Sequence, residues 1–233
     1  MRSAAAAAVV LAVIVLIAAC DSAKTIAARA GIGGFEARCE TSLPPTRIEV
    51  VTVPVVYGTD KTRSWRELTA KSGDATPTLR ALGLTTAEVG HQATIETSGV
   101  EDPRSGRVCV RPAIRVELSA TPMTVYIGRE IAGDPCKEAV ALEHELKHVA
   151  VYKDELANIA KDVRASLDAA YGNRVLYYGS RAEAKRETQA ALAAQLSPLL
   201  AGDARRIKER QRTVDSPEEY ARVSAACGGM MRN

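Results

Sequence analysis

One stretch of this chain places chemistry-bearing side chains at a spacing that chemistry requires: His144-Glu145-Leu146-Lys147-His148, inside a run from Cys136 to Tyr171 that holds neither glycine nor proline. Residues four apart on a helix share a face, so the two imidazoles can grip one metal ion, and zinc is the ion such a pair suits. Glu145, beside the first imidazole, can then take a proton from a water that the metal activates. The chain has three histidines. At that composition chance yields His-Glu-x-x-His on the order of a few times in a thousand. The competing structural explanation is a solvated helix face with an ion pair between Glu143 and Lys147 at helical spacing.

The residues around the motif say what must hold it. Cys136 to Tyr171 reads as one long helix whose apolar residues Leu142, Leu146, Val149, Leu156, Val163 and Leu167 recur at three or four positions. The centre of that stripe lies about 100° around the helix from the histidines, which puts the motif on its shoulder, between core and cleft. Upstream, Arg47 to Tyr57 is rich in β-branched residues and reads as a strand, with Pro54 placing it at an edge or bulge. Ser64 to Lys71 has the signature of a short capped helix, with Glu67 three residues after Ser64. Gly73, Pro77 and Gly83 mark Ser72 to Val89 as turns and short helix. Arg107 to Leu118 and Met123 to Ile127 read as an antiparallel pair of strands about a turn at Ser119 to Pro122. Beyond Gly172, helices are expected from Ser180 to Leu196, Asp203 to Arg212 and Ser216 to Ala226, with Pro198 and Gly202 as breaks. The expected fold is therefore α+β, with a small antiparallel sheet packed on the long motif helix and then an antiparallel C-terminal helical region.

Strand, loop and motif-bearing helix in that order resemble the zincin metallopeptidases. The segment from about Thr46 to Leu156, with Cys109 and Cys136, is also similar to a family of bacterial secreted proteins described as predicted zinc-dependent proteases. The resemblance implies that His144 and His148 bind zinc, that Glu145 shuttles the proton, and that Met123 to Ile127 is the edge strand pairing with a peptide or protein substrate. It also implies a third ligand, which the residues leave open. Asp154 stands where metzincins place theirs, but with Val151 where those proteins have a helix-ending glycine it stays on the helix, roughly 9 Å of rise beyond His148. Glu155 has the same difficulty. Glu183 and Glu187 occupy the following helix, as in gluzincins, while a fold-back near residue 175 brings Asp203 level with the motif. His91 is the remaining histidine. Lys147 departs from the uncharged residues usual at its position and puts a cation about one helical turn from the metal. The rival expectation is a non-enzymatic envelope lipoprotein whose zincin-like scaffold binds a partner or a structural metal.

The ends place this chemistry in a compartment. Residues 1–19 combine Arg2 with an uncharged apolar run and small residues before Cys20, which reads as a lipoprotein signal peptide. The resemblance of Leu16-Ile17-Ala18-Ala19-Cys20 to a lipobox implies lipid on Cys20, a membrane anchor, and a domain outside the cytoplasm on the bacterial envelope, on its periplasmic side. Residues 20–34 then read as a flexible tether, 35–171 as the zincin-like domain and 172–233 as the C-terminal helical region packed on the motif helix. Cys39, Cys109, Cys136 and Cys227 remain, an even number in an oxidising compartment, so two disulfides are expected. None lies in a Cys-x-x-Cys pair. Cys109 with Cys136 and Cys39 with Cys227 is the favoured connectivity of the three possible. The net charge of +3, with acids and bases interspersed, and one Phe and one Trp argue against a nucleic-acid partner.

Overall fold

A single strand of twenty residues organises the sheet. The computed structural model of the protein describes residues 34–73 and 80–230. The expected signal peptide, the lipid site Cys20 and the tether as far as residue 33 lie outside the described residues, as do 74–79. In chain order the elements are α1 (Phe35–Ser42), β1 (Arg47–Thr52), β2 (Gly58–Asp60), α2 (Trp65–Ser72), β3 (Gly83–Glu101), β4 (Val108–Ile127), α3 (Pro135–Tyr171), β5 (Leu176–Tyr178), α4 (Arg181–Val214), α5 (Pro217–Ala225) and a 3-10 turn at Ala226–Gly228.

The sheet has five strands in an α+β fold, and it corrects the antiparallel expectation. Its path runs β1-β4-β2 with these strands parallel, while β3 and β5 also pair with β4. Gly58, Thr59 and Asp60 of β2 lie opposite Thr124, Val125 and Tyr126, and β5 runs antiparallel against Val108 to Val110. The physical reason is the length of the connection. Parallel partners need a long crossover, and α2 and β3 intervene between β2 and β4. The supposed turn at Ser119 to Pro122 is part of β4. Apart from the disulfide-bonded Cys109, burial falls on even-numbered residues from Val108 to Ala120 and on odd-numbered ones from Met123 to Ile127. The extra residue at Thr121-Pro122 shifts the alternation as a bulge does, and a bulge is where a strand tolerates proline. Pro54 lies beyond the end of β1 rather than inside it.

The chain forms two compact units. In the first, from described residues 34–48, 95–114 and 167–193, α1 packs Phe35, Cys39 and Leu43 against Cys109, Val100 and Val175. A second cluster joins Val108 and Val110 of β4 to Ala184 of α4. The other unit carries the motif, and its core gathers Val125, Ile127, Ile131, Ala141 and Met230. Within it α4 lies antiparallel to α3, with Gln195 donating to Ser166, Arg206 to Glu155 and Gln211 to the carbonyl of His148. Helix α4 is unbroken through Pro198 and Gly202. Leu192, Leu196, Asp203 and Ile207 hold one buried stripe across both residues, so packing overrides propensity there.

Two disulfides form, but not in the expected pairing. Cys39 joins Cys109, and Cys136 joins Cys227. Helix α1 brings Cys39 directly onto the start of β4, and the chain leaving α5 returns to the first turn of α3. Among the described residues no helix is long and apolar enough to cross a membrane.

Candidate metal centre

Helix α3 carries His144, Glu145 and His148, all buried. The two rings converge, with His148 Nε2 3.3 Å from His144 Nε2. Asp215, in the turn between α4 and α5, brings Oδ1 to 3.2 Å from His144 Nε2 and 3.2 Å from His148 Nε2. Three donor atoms from two distant segments thus form a nearly equilateral triangle, and this His-His-Asp group could hold a metal ion.

The outer partners fix which nitrogen faces the triangle. His144 Nδ1 lies 3.2 Å from Glu219 Oε1, an atom that only accepts when ionised, so Nδ1 carries the proton. His148 is held from two sides. Gln211 Nε2 donates to the His148 carbonyl at 3.2 Å, which turns Gln211 Oε1 towards His148 Nδ1 at 2.6 Å and again requires a proton on Nδ1. Both Nε2 atoms therefore present lone pairs towards each other and towards a carboxylate oxygen. Such an arrangement needs a cation at its centre, a metal ion or, in its place, protons. A partner on the far nitrogen of each ligating histidine is also the usual outer-shell arrangement of metal sites.

Electrostatics follow the same pattern. Burial is the largest influence and works against charging His144 and His148, but Asp215 and Glu145 beside both, with Glu219 on His144 and Gln211 on His148, together raise both above the ordinary histidine value. Asp215 is itself buried enough to be pushed up, but hydrogen bonds from both histidines and from Tyr220 hold it well below the usual carboxylate range. Arg222 and Lys147 hold the Glu219 carboxyl low as well. Lys147 Nζ donates to Glu219 Oε1 at 2.7 Å, so its charge is spent on the residue that orients His144.

Glu145 is 3 % exposed, and burial pushes its carboxyl up against the opposing pull of the two imidazoles and a hydrogen bond from Thr85. Thr85 Oγ1 on β3 donates to Glu145 Oε2 at 2.8 Å. Gly83, two residues earlier, leaves the space that the carboxylate fills. A Cβ at position 83 would collide with Glu145 Oε1 and stand 2.9 Å from its Cδ and Cγ. His144, Glu145, His148 and Asp215 all line one cavity of about 590 Å³, together with Leu82, Thr85, Tyr152 and Tyr220.

The six expected candidates for the third ligand lie elsewhere. Asp154 is exposed on α3, and Glu155 is buried beneath Arg206 and Arg210. Glu183 accepts from the backbone N–H of Gly179, Glu187 is exposed beside Arg186, Asp203 pairs with Arg206, and His91 is exposed on β3. Asp215 was missed because a fold-back counted from residue 175 ignores β5 and a helix presumed broken at Pro198. The real pairing of α3 with α4 is shifted towards the C-terminus, bringing Gln211 and Asp215 level with the motif. The local signal was Ser216-Pro217, a helix start that puts Asp215 at a junction. The expected edge strand also moves. Met123, Val125 and Ile127 are buried and this part of β4 pairs with β2, so the strand beside the cavity is the start of β3.

Comparison of the chain with family models, with curated proteins and with solved structures finds no match in any of the three.

Proposed function

We propose that this chain is a zinc-dependent hydrolase acting on peptide bonds, with His144, His148 and Asp215 as ligands and Glu145 as the proton-transferring residue. The observation that carries the reading is the triangle of Nε2, Nε2 and Oδ1 with sides of 3.2–3.3 Å. Nitrogen and oxygen ligands about 2.0–2.1 Å from a tetrahedral zinc stand about 3.3–3.4 Å apart, and a three-ligand site leaves the fourth position open. Zinc, when bound, polarises a carbonyl and acidifies a water. Among the described residues lining the cavity, Glu145 is the one carboxylate that is not part of the triangle, and its raised affinity for a proton suits a base that accepts one and then returns it to a leaving amine. Thr85 holds that carboxylate to one orientation. The start of β3 offers backbone groups along the cavity wall to an extended peptide. Tethering by lipid on Cys20 to the bacterial cell envelope, with the domain outside the cytoplasm on the periplasmic side, completes the proposal and rests on the sequence of residues 1–20.

The test separates metal from catalysis. The purified protein is expected to hold one zinc per chain, His144→Ala to lose it, and Glu145→Gln to keep it while losing casein or envelope-peptide cleavage by about 10²–10⁴-fold. Retained zinc without hydrolysis across a broad peptide panel would instead favour a non-catalytic scaffold.

A further inference from the structure

The segment that completes the metal centre is fastened to the motif helix by one accessible covalent bond. Asp215, Glu219 and Tyr220 lie between the end of α4 and Cys227, and Cys227 is bonded to Cys136 in the first turn of α3. Cys136 is exposed and Cys227 half-buried, whereas Cys39 and Cys109 are both fully buried. Besides that bond, helix α5 meets the rest of the unit through partly buried or exposed side chains, Val223 against the core cluster, Glu219 on His144 and Tyr220 beside the His144 ring. None of its nine residues is buried. Its ion pairs, Glu219 with Lys147 and Arg222 with Glu143, involve partly exposed side chains of the kind that contribute little. Beyond it, Met230 reaches the core. Cys227 sits at φ 56°, in the left-handed region that a residue other than glycine occupies only when its surroundings impose it. The bridge spans a sequence separation of 91 residues, a long loop whose closure removes much freedom from an opened chain.

We propose that Cys136–Cys227 is a reducible clasp controlling metal retention, opened by thiol–disulfide exchange with a dithiol reductant. The inference rests on the His144, His148 and Asp215 metal site. The attacking thiolate bonds to one of the two sulfurs and expels the other as a thiolate. The second thiol of the reductant then attacks the reductant's own sulfur in this mixed disulfide and expels the remaining protein cysteine, leaving two cysteine thiols and an oxidised, disulfide-form reductant. Two electrons and two protons pass to the protein. Residues 216–230 then lose their covalent tie to α3, Glu219 orients His144 less firmly, and the metal is held less tightly.

The experiment measures zinc affinity by chelator competition in the oxidised protein and in a Cys136→Ser/Cys227→Ser double variant. Loss of outer-shell partners typically weakens metal binding by about 10–100-fold, and that is the expected change, with faster amide exchange confined to 216–230. Equal affinity within twofold overturns the clasp. Should the double variant fail to fold, the wild-type protein is reduced stepwise with a phosphine that does not compete for zinc, and free thiols are alkylated and mapped. Cys136 and Cys227 should be labelled before Cys39 and Cys109, with zinc released in step. Zinc retained at full labelling of Cys136 and Cys227 overturns the proposal. Failure of the oxidised wild-type protein to bind zinc at all instead removes the metal site and the clasp with it.

Discussion

Gln211 decides which nitrogen of His148 faces the cavity, and Glu219 does the same for His144. The orientation of both rings is thus set by residues more than sixty positions away. Two of the three residues of the His-His-Asp group could be named from the chain because they share one helix face, where spacing alone brings them together. Asp215 could not, since only the pairing of α3 with α4 carries it there. Glu145 is positioned just as indirectly, by Thr85 and by the absence of a side chain at Gly83. Gly83→Ala is therefore expected to displace the carboxylate while leaving the triangle intact. A displacement of about 1 Å at a catalytic group can cost on the order of 10²-fold in rate. Steady-state kinetics should register that loss in kcat with zinc content unchanged. Wild-type kcat in the alanine variant would show that Gly83 does not set the position of Glu145.

At the scale of elements, the junction of α3 with α4 determines whether Asp215 arrives at the right level. Its centre is Glu155, 1 % exposed, which accepts from Arg206 Nε at 2.7 Å and from Arg210 Nη1 at 3.0 Å. Replacing both arginines with methionine keeps an unbranched stem but removes both guanidinium groups, leaving the buried carboxylate without a countercharge and with Asn158 Nδ2, 3.4 Å away, as a neutral partner. Removing the partners of a buried charge costs about 3–5 kcal/mol, and urea unfolding of the double variant should read a loss of that order. A loss below about 1 kcal/mol, the range of exposed pairs, would mean Glu155 is solvated after all. Helix α3 was legible because thirty-odd residues without glycine or proline leave few alternatives. The extent of α4 was not, because Pro198 and Gly202 disfavour a helix locally and only the buried stripe through Leu196 and Ile207 compensates. The same holds for β4, where Pro122 reads as a turn until the shifted alternation around it is seen. The stretch of β3 from Glu88 to Thr94 is exposed throughout and shows no inward and outward alternation, and its strand character comes from its partner β4.

For the whole molecule, cysteine parity told how many disulfides to expect, while connectivity depended on which ends the fold brings together. Parallel strand direction along β1-β4-β2 was hidden for the same reason, since local patterning carries no record of a crossover. Stability should report the metal centre globally. His144 and His148 have raised values in the folded, metal-free protein, so the stability they contribute is present below the ordinary histidine pKa and is lost as pH rises through the raised values. Glu145, raised by burial, acts in the same direction. Asp215, held low, contributes stability that is lost only in acid below the ordinary aspartate range. Zinc competes with those protons. Thermal denaturation should therefore show the gain in Tm on adding zinc widening between about pH 5.5 and pH 8. A gain that is constant or shrinks over that interval would place the metal away from these groups.

The most direct test is equilibrium zinc titration of the wild-type protein beside Asp215→Ala, since Asp215 is the ligand that only the fold predicts. Wild-type protein should bind one zinc per chain, and the variant should lose more than about 100-fold in affinity, beyond what outer-shell partners typically contribute. Zinc bound equally well without the Asp215 carboxylate, or not bound at all by the wild-type chain, would contradict the site.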